Sequence, residues 1–535
     1  MLYDDEYVLG SQHGTIFDTE LTDKDLMVSI LEDWCINHCS GPYSVKYNEK
    51  DEKYKGVTFR FMEDNDHKRF TQEWNILKLE SRKKLNKLSE DTVCILPFMH
   101  MHTWPSGEVF LCCDSTAQES IGNVNENTLE EIFNGEKIKS VRQQMANGQH
   151  PARCYKCFQR EAQGIESYRE QSNILYVNHK HLIDKAIKNN YEVEDFKLYY
   201  WDFRCSNLCN FSCRSCGLSL SSKWYEDHKA LYGNVDGHSV NKKGVIQFTD
   251  SQIAQVKSII DKDINDVECV YFAGGEPLIN DMHYYILEKL IKAKRFDCYI
   301  HYNTNLSTLH YKNYDLLEMW SNWNKGLKIT VGVSIDAIGP RAEYIRYGTK
   351  WSKIEENLKK LLQIPYIQVV ITPCISLFNV MHLPDYLDYF IEYHKMPSGD
   401  IWLNNVLHDA TYYHIASLPH HMKIKVHDTF TAYLEKKINI WPQQTLNDIA
   451  DKFNGILHSM DIDIEAGAPG LTHHEAGTTG LTHRDEEFLK TNKERFIEVT
   501  KRLDASRGED FTKTFPELAC LFQRYEHVFG LWPEE

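Results

Sequence analysis

The stretch Trp201-Asp202-Phe203-Arg204-Cys205-Ser206-Asn207-Leu208-Cys209-Asn210-Phe211-Ser212-Cys213-Arg214-Ser215-Cys216 decides how the chain is read. It holds a C-x3-C-x2-C triplet: Cys209, Cys213 and Cys216. Three thiolates this close on one loop can hold three irons of a four-iron cluster, and the fourth iron is then left without a protein ligand. A cluster that only carries electrons usually takes four cysteines. An open metal position can bind a small molecule, as the free position of a catalytic zinc does.

Composition bounds what surrounds this loop. The chain has 535 residues, 42% hydrophobic and 26% charged, as in an ordinary globular protein of about two to four domains. Its 60 basic against 77 acidic residues leave a net charge of −17. That balance argues against broad binding of a nucleic-acid backbone, which needs a basic surface. A run of about 18 apolar residues is absent, so no membrane partner is expected. The start, Met1-Leu2-Tyr3-Asp4-Asp5-Glu6, is acidic, unlike the basic n-region of a secretory signal, and a cytoplasmic location is the expectation. Many of the 15 cysteines are grouped. In a reducing compartment such grouping favours metal or cluster binding over disulfides.

From about residue 196 strand-like runs alternate with amphipathic stretches: Lys197 to Trp201, Val267 to Phe272, Cys298 to Tyr302, Leu327 to Ile335, Ile367 to Ile375 and Ile401 to Val406. His283 to Lys294 and Ser352 to Leu362 are two of the intervening helices. Parallel strands joined by right-handed crossovers follow. Six such units make an incomplete α/β barrel, whose chemistry sits at the C-terminal ends of the strands. The cysteine triplet lies just after the first strand.

Four further segments fall at strand ends: Ala273-Gly274-Gly275-Glu276-Pro277, Asn303-Thr304-Asn305, Ser334-Ile335-Asp336 and Tyr344-Ile345-Arg346-Tyr347-Gly348. Two glycines let backbone approach a ligand without a Cβ in the way, and a fork of donors at Arg346 suits a carboxylate. Taken with the triplet, these segments resemble the radical S-adenosylmethionine (radical SAM) superfamily. The resemblance covers about residues 195 to 410. It implies a 4Fe-4S cluster on Cys209, Cys213 and Cys216, with S-adenosylmethionine on the open iron. Gly274, Gly275, Glu276 and Pro277 would line the methionine amino group, and Asn305 would make polar contacts near the cofactor. Ser334 and Asp336 would lie near ribose and carboxylate, and Arg346 would pair with the methionine carboxylate. In that superfamily reductive cleavage of the sulfonium gives a 5′-deoxyadenosyl radical, which takes hydrogen from the substrate. Two departures stand out. Ser215 replaces the aromatic residue that many relatives place before the third cysteine, so adenine stacking must come from elsewhere, with Phe211 as one candidate. Cys205 is an added thiol, read as a spare.

A second cysteine group lies at 91–172: Cys94, then Cys112 and Cys113 after a Gly-turned hairpin at Pro105-Ser106-Gly107, then Cys154-Tyr155-Lys156-Cys157. Neighbouring strand residues face opposite sides, so one of Cys112 and Cys113 can join a shared metal, and the spacing from Gly107 selects Cys112. Thr128-Leu129-Glu130-Glu131 reads as a capping box opening a helix that breaks near Gly135. Four thiolates, Cys94, Cys112, Cys154 and Cys157, can close one site. This module resembles the twitch domain, the shortened form of the SPASM domain, which holds one auxiliary iron–sulfur cluster. The further C-x5-C-x3-C of a full SPASM domain does not follow, so one auxiliary cluster, of 4Fe-4S type, is expected. The domain normally follows the barrel and here precedes it. Structural zinc on the same four cysteines is the alternative. His100 and His102 are read as packing residues rather than cluster-tuning ones.

The fold expected is therefore α/β: a partial (β/α)6 TIM-type barrel at 195–435, preceded by a small α+β twitch domain at 91–172 and a helical linker at 173–194. Residues 1–90 have no readable role; Cys35 and Cys39 there are taken as unpaired thiols, and Gly56 to Phe61 as a strand. Residues 436–535 are mainly helical and contain a near-duplicated loop at 466–485, whose His473, His474 and His483 are read as solvated. The function expected is radical SAM hydrogen abstraction on a peptide or protein side chain, with an electron donor such as flavodoxin or ferredoxin. A sugar, nucleotide or other small-molecule substrate is the alternative within enzymes. A non-catalytic iron–sulfur electron carrier or sensor is the alternative outside them. No general acid or base is readable; Tyr302, His408 and Tyr412 lie near strand ends but read as structural.

Overall fold

The computed structural model describes residues 92–522, except 116–119, 163–166, 236–239, 242, 408–409 and 461–485, together with three strands nearer the start of the chain. The chain divides into two compact units, residues 1–103 with 108–201 and residues 104–107 with 202–535.

In the first unit, Gly14–Thr19, Tyr43–Lys50 and Tyr54–Phe61 form an antiparallel sheet with Tyr54–Phe61 in the centre. The strand expected from Gly56 to Phe61 is thus present, while Cys35 and Cys39 lie outside the described residues. The cysteine module is built on the antiparallel hairpin His100–Thr103 and Glu108–Phe110. Gly107 turns it with φ +98°, a conformation that favours glycine. Thr128 and Glu131 form the expected capping box on the helix Leu129–Phe133, and after Gly135 the chain restarts as Glu136–Ala146. Cys112 is placed differently from the sequence reading. It follows the strand, in a turn closed by Ser115 N donating to Cys112 O (3.2 Å), so strand alternation does not choose between it and Cys113.

Arg142, fully buried on the helix Glu136–Ala146, ties this unit together. Its guanidinium donates to Pro97 O (2.8 and 3.0 Å), Phe133 O (2.8 Å), Tyr191 O (2.9 Å) and Asn134 Oδ1 (3.1 Å). Its flat face lies 4.8 Å from the Phe133 ring centroid. A buried cation needs this saturation of its donors.

The strand Tyr200–Phe203 spans the division between Trp201 and Asp202, and in the second unit the strand order goes on through Cys269–Phe272, Tyr299–Thr304, Ile329–Val333 and Ile367–Ile371. The last four pair in parallel. The expected helices appear as Asp281–Lys292 and Trp351–Leu361. The sixth expected strand is reduced to two parallel bridges, Ile371↔Ile401 and Ile375↔Val406.

Along Tyr299–Thr304 burial alternates: Ile300, Tyr302 and Thr304 are buried and Tyr299, His301 and Asn303 half-buried. The buried face packs on helices. Tyr302 OH lies 2.9 Å from His283 Nε2 on one helix and accepts from Trp320 Nε1 (3.0 Å) on another. Burial lowers His283 to about 3, so the ring is neutral, and with Tyr302 OH already accepting from Trp320 the hydroxyl proton is left for His283 Nε2 in the tautomer protonated at Nδ1. Tyr302 is therefore structural, as read. The C-terminal region is helical, with His420–Lys437, Gln443–Ser459 and Glu486–Arg507. The duplicated loop and His408 lie outside the described residues. No helix among the described residues is long and apolar enough to cross a membrane.

Replacing Arg142 by leucine removes the common donor of several buried carbonyls. Denaturant unfolding is expected to show a loss of about 3 kcal/mol or more; a loss below about 1 kcal/mol would mean the carbonyls find other donors.

Candidate functional site

The cysteine loop leaves the first strand and is fixed at its entry by Asn207, fully buried. The Asn207 amide donates to Leu218 O (2.8 Å) and Gly244 O (3.1 Å) and accepts from Ile246 N (2.8 Å). Cys209 N donates to Ser222 Oγ (3.2 Å), Ser221 Oγ donates to Phe211 O (2.6 Å), and Trp224 Nε1 donates to Cys213 O (2.9 Å). Cys213 sits in the two-residue strand Ser212–Cys213, which pairs antiparallel with Arg346–Tyr347. Arg346, 133 positions later in sequence, is thereby the direct register partner of Cys213 and brings Nη1 to 3.8 Å from its Sγ.

Burial pushes all three thiols up. Cys209 rises to about 12, with the charge of Cys213 as the next cause. Cys216 rises further, from burial and then from Cys213 and Cys209. For Cys213 burial raises the value while Arg346 draws it back down. The three groups therefore feel one another, as ligands of one polynuclear group must, and a bound cation would relieve the repulsion among their thiolates. Among the described residues no three His, Cys, Asp or Glu side chains converge as they would on a single ion. Three thiolates on one short loop are the donor set a four-iron cluster takes, each on a separate iron. Cys205 is buried and raised to about 12 by burial alone, in keeping with a spare thiol.

Glu276 organises the neighbouring segments. It is 1% exposed, and three donors occupy its carboxylate: Leu278 N (3.0 Å) and Thr304 Oγ1 (2.6 Å) at Oε1, Asn305 N (2.8 Å) at Oε2. Its own N–H donates to Leu208 O (2.8 Å). The Gly-Gly-Glu-Pro turn is thus bonded to the end of the third strand and to the cysteine loop at once. Gly274 and Gly275 have φ +81° and +60°. A Cβ on Gly275 would lie 2.4 Å from Leu208 O, and one on Gly274 2.8 Å from Arg204 Cδ. The close approach that these glycines permit is to the protein's own cysteine loop, in addition to the ligand approach read from sequence. Pro277 is buried and opens a short 3-10 turn, Pro277–Ile279.

Asn305 extends the same connection: its Nδ2 donates to Asn210 Oδ1 (2.9 Å), between Cys209 and Cys213. Ser334 follows the fourth strand, half-buried, with its N–H on Thr304 O (2.8 Å). Asp336 is 1% exposed and accepts at Oδ1 from Arg346 Nη2 (2.9 Å) and Cys374 N (2.8 Å), while Arg346 Nε lies 2.8 Å from Oδ2. Asp336 and Arg346 therefore meet as a close ion pair beside Cys213, joined by one hydrogen bond, with Nε and Oδ2 close but not bonded. Phe211 does not meet the adenine-stacking expectation: it is 3% exposed, and its ring lies 3.1 Å from where a Cβ on Gly348 would stand. Its face is used in closing the loop.

Sequence reading missed a polar row on the half-buried face of the sheet. The parallel register sets Tyr271, His301, Thr330 and Gln368 side by side across four strands. One step toward the strand ends, Asn303 Nδ2 donates to Tyr271 OH (2.7 Å). Gly332 is the register partner of Asn303, and a Cβ there would come 2.5 Å from Asn303 Oδ1. Burial lowers His301 to about 4, which keeps the ring neutral near pH 7. The signal for this row is strand alternation of polar residues, visible only once register is known.

In the first unit Cys94 lies within electrostatic reach of Cys154 and Cys157, and Cys112 within reach of Cys113, Cys94 and Cys154. Burial raises Cys94 most, followed by the charges of Cys154 and Cys157; Cys112, also raised first by burial, feels Cys113, then Cys94 and Cys154. Asn173 brackets Cys94, accepting from Ile95 N (2.8 Å) and donating to Val93 O (2.8 Å). Arg169 donates to Val93 O (3.0 Å) while paired with Glu161 (2.7 Å). His100 and His102 are buried; His100 stacks on Tyr200 with centroids 4.1 Å apart.

Residues 203–389 match the family model of the radical SAM superfamily. It is a radical SAM enzyme. Residues 94–158 match the SPASM iron–sulfur cluster-binding domain, which lies before the radical SAM domain in this chain. No curated protein matches the chain. The radical SAM domain brings a 4Fe-4S cluster and S-adenosylmethionine as cofactors, and the SPASM domain brings auxiliary iron–sulfur binding. The radical SAM match sets aside the reading as a non-catalytic iron–sulfur electron carrier or sensor.

Glu276→Gln gives a direct check on the carboxylate node. Either orientation of the amide turns its NH2 toward a fixed backbone N–H, at Leu278 or at Asn305. Thermal or denaturant unfolding is expected to register a loss of about 2 kcal/mol, against no change if the carboxylate were dispensable.

Proposed function

We propose that this radical SAM enzyme abstracts hydrogen from a side chain of a peptide or protein, with Cys209, Cys213 and Cys216 holding the barrel cluster and Cys94, Cys112, Cys154 and Cys157 holding a single auxiliary 4Fe-4S cluster in a twitch-type domain. The observation that carries the reading is the pairing of Arg346 with Cys213. It sets a guanidinium, already paired with Asp336, within 3.8 Å of a ligand thiol. A cofactor carrying an amino group and a carboxylate finds in Arg346 a partner for the carboxylate, with the turn at residues 274–277 lining its amino group. When bound, the cluster and S-adenosylmethionine supply reductive sulfonium cleavage and the hydrogen-abstracting 5′-deoxyadenosyl radical.

The chain's own residues do the rest. Gly274 and Gly275 keep side chains out of the space above the loop, Asn305 and Ser334 offer polar contacts, and Glu276 holds the turn in place without leaving its three donors. The polar row Tyr271, His301, Thr330 and Gln368, with Asn303, offers neutral hydrogen-bonding groups to a substrate. Peptide modification is favoured because relatives with SPASM or twitch modules often act on peptides or proteins. An electron donor such as flavodoxin or ferredoxin would serve the barrel cluster.

Anaerobically reconstituted protein given dithionite and S-adenosylmethionine is expected to form 5′-deoxyadenosine; none formed with clusters intact would reject the site assignment. Cys209→Ala, Cys213→Ala or Cys216→Ala should abolish that product. Alanine at Cys94, Cys112, Cys154 or Cys157 should instead lower iron content and leave the barrel cluster in place. If all seven variants lost the same iron, the two-site assignment would be wrong.

The substrate class has its own measurement. Cell extract added to the reaction should stimulate 5′-deoxyadenosine formation, and protease treatment of the extract should remove the stimulation. Stimulation that survives proteolysis would point to a small molecule.

A further inference from the structure

We propose that Arg507, at the end of the helix Glu486–Arg507, is a positioning residue for Cys213: it holds the strand that carries this thiol and sets a fixed positive charge beside it. The residue lies 118 positions beyond the end of the matched radical SAM domain, by the difference of 507 and 389. The proposal rests on the assignment of Cys213 as a cluster ligand.

Three contacts converge on the two-residue strand Ser212–Cys213. Arg507 Nη2 donates to Ser212 O (2.9 Å). The Arg507 guanidinium lies 4.7 Å from the ring centroid of Tyr347, the register partner of Ser212. It also lies 5.4 Å from that of Trp224, whose Nε1 holds Cys213 O. The side chain is 1% exposed and pairs with Asp227 through Nη2 (2.8 Å) and Nε (3.3 Å).

The next residue after Cys213 is held from the same segment. Arg214, fully buried, pairs with Asp504 (2.5 Å) and Glu509 (2.8 Å) and stacks on Tyr344 at 3.8 Å. Tyr344 OH donates to Asp504 (2.7 Å). Both neighbours of Cys213 are therefore bonded to residues 504–509.

A purely structural clamp could be apolar, since buried ion pairs contribute little net stability compared with well-packed apolar groups. The orientation of this pair is what an apolar clamp would lack. The guanidinium reaches the Ser212–Cys213 backbone, and its carboxylate partner sits on the helix Trp224–Tyr232. A cation fixed on that side favours the cluster state that carries the extra electron, because cluster potentials respond to nearby charge, hydrogen bonds and exposure.

The test is a redox titration of the holoenzyme, following the part of the reduced-cluster electron paramagnetic resonance spectrum that S-adenosylmethionine perturbs. Arg507→Gln combined with Asp227→Asn removes both charges and keeps an amide donor for Ser212 O. It should retain iron and shift the midpoint potential downward. Asp227→Asn alone leaves the guanidinium with only Glu509, 4.0 Å away, as counter-charge and should shift it upward. Either variant decides the sign if the other fails to fold. A wild-type potential in a folded, iron-replete variant, or shifts of both in one direction, would overturn the proposal. Cys213→Ala in parallel separates the two claims: survival of the perturbed signal there would defeat the ligand assignment itself, whereas its loss, with the Arg507 variants unshifted, would defeat only the role of Arg507.

Discussion

The cost of ionising three thiols held largely out of water is the constraint around which the catalytic unit is organised. Cys209, Cys213 and Cys216 lie within one short loop, and burial makes each harder to ionise. The structure answers with positive charge at the middle cysteine, from Arg346 on its register partner and from Arg507 behind it. Arg507 is buried and Arg346 half-buried, and each pairs with a carboxylate, Asp227 and Asp336 respectively. The loop, two ion pairs and the strand ends then form one connected network, with Glu276 joining the glycine turn and the third strand to the cysteine loop. Low dielectric makes such a network strong when complete and costly when one member is missing.

Much of this was legible in the sequence because it is local. The triplet, the glycine turn and the Ser334 and Asp336 segment each follow an apolar run that is a strand in the structure, at its C-terminal end. The capping box at Thr128 was readable for the same reason, since all its partners lie within three residues. What escaped was pairing across long separations. Nothing in the sequence joins Arg214 to Asp504, 290 residues away, or Arg507 to Asp227, 280 away. Glu276 was expected at the cofactor, yet its carboxylate is spent on three protein donors, a role that appears only when Thr304 and Asn305 fold beside it. Phe211 was a reasonable stacking candidate by residue type, but the positive φ of Gly348 (+102°) brings backbone against its ring. The sixth strand failed to form a ladder because Ile401 and Val406 meet the fifth-strand segment at isolated points only.

The auxiliary module follows a similar logic with different means. The cysteines proposed for its cluster come from a turn after a hairpin, from the chain ahead of that hairpin and from a C-x2-C segment, so no single loop would define the site. Backbone clamps take the place of sequence proximity. Asn173 bonds to the groups on either side of Cys94, and Arg169 shares one of them. Arg142 holds the Pro97 carbonyl that follows Cys94. Here the cations act through carbonyl oxygens, and the geometry of the thiols depends on buried hydrogen bonds more than on ion pairs.

The central claim is that one iron of the barrel cluster takes no protein ligand and is free to bind S-adenosylmethionine. Electron paramagnetic resonance of the anaerobically reduced protein, recorded before and after adding S-adenosylmethionine, tests it most directly. The account predicts a four-iron signal whose g-values change on addition, in protein whose auxiliary cysteines are intact or replaced. A spectrum unchanged by S-adenosylmethionine, with the barrel cluster present and reduced, would contradict it.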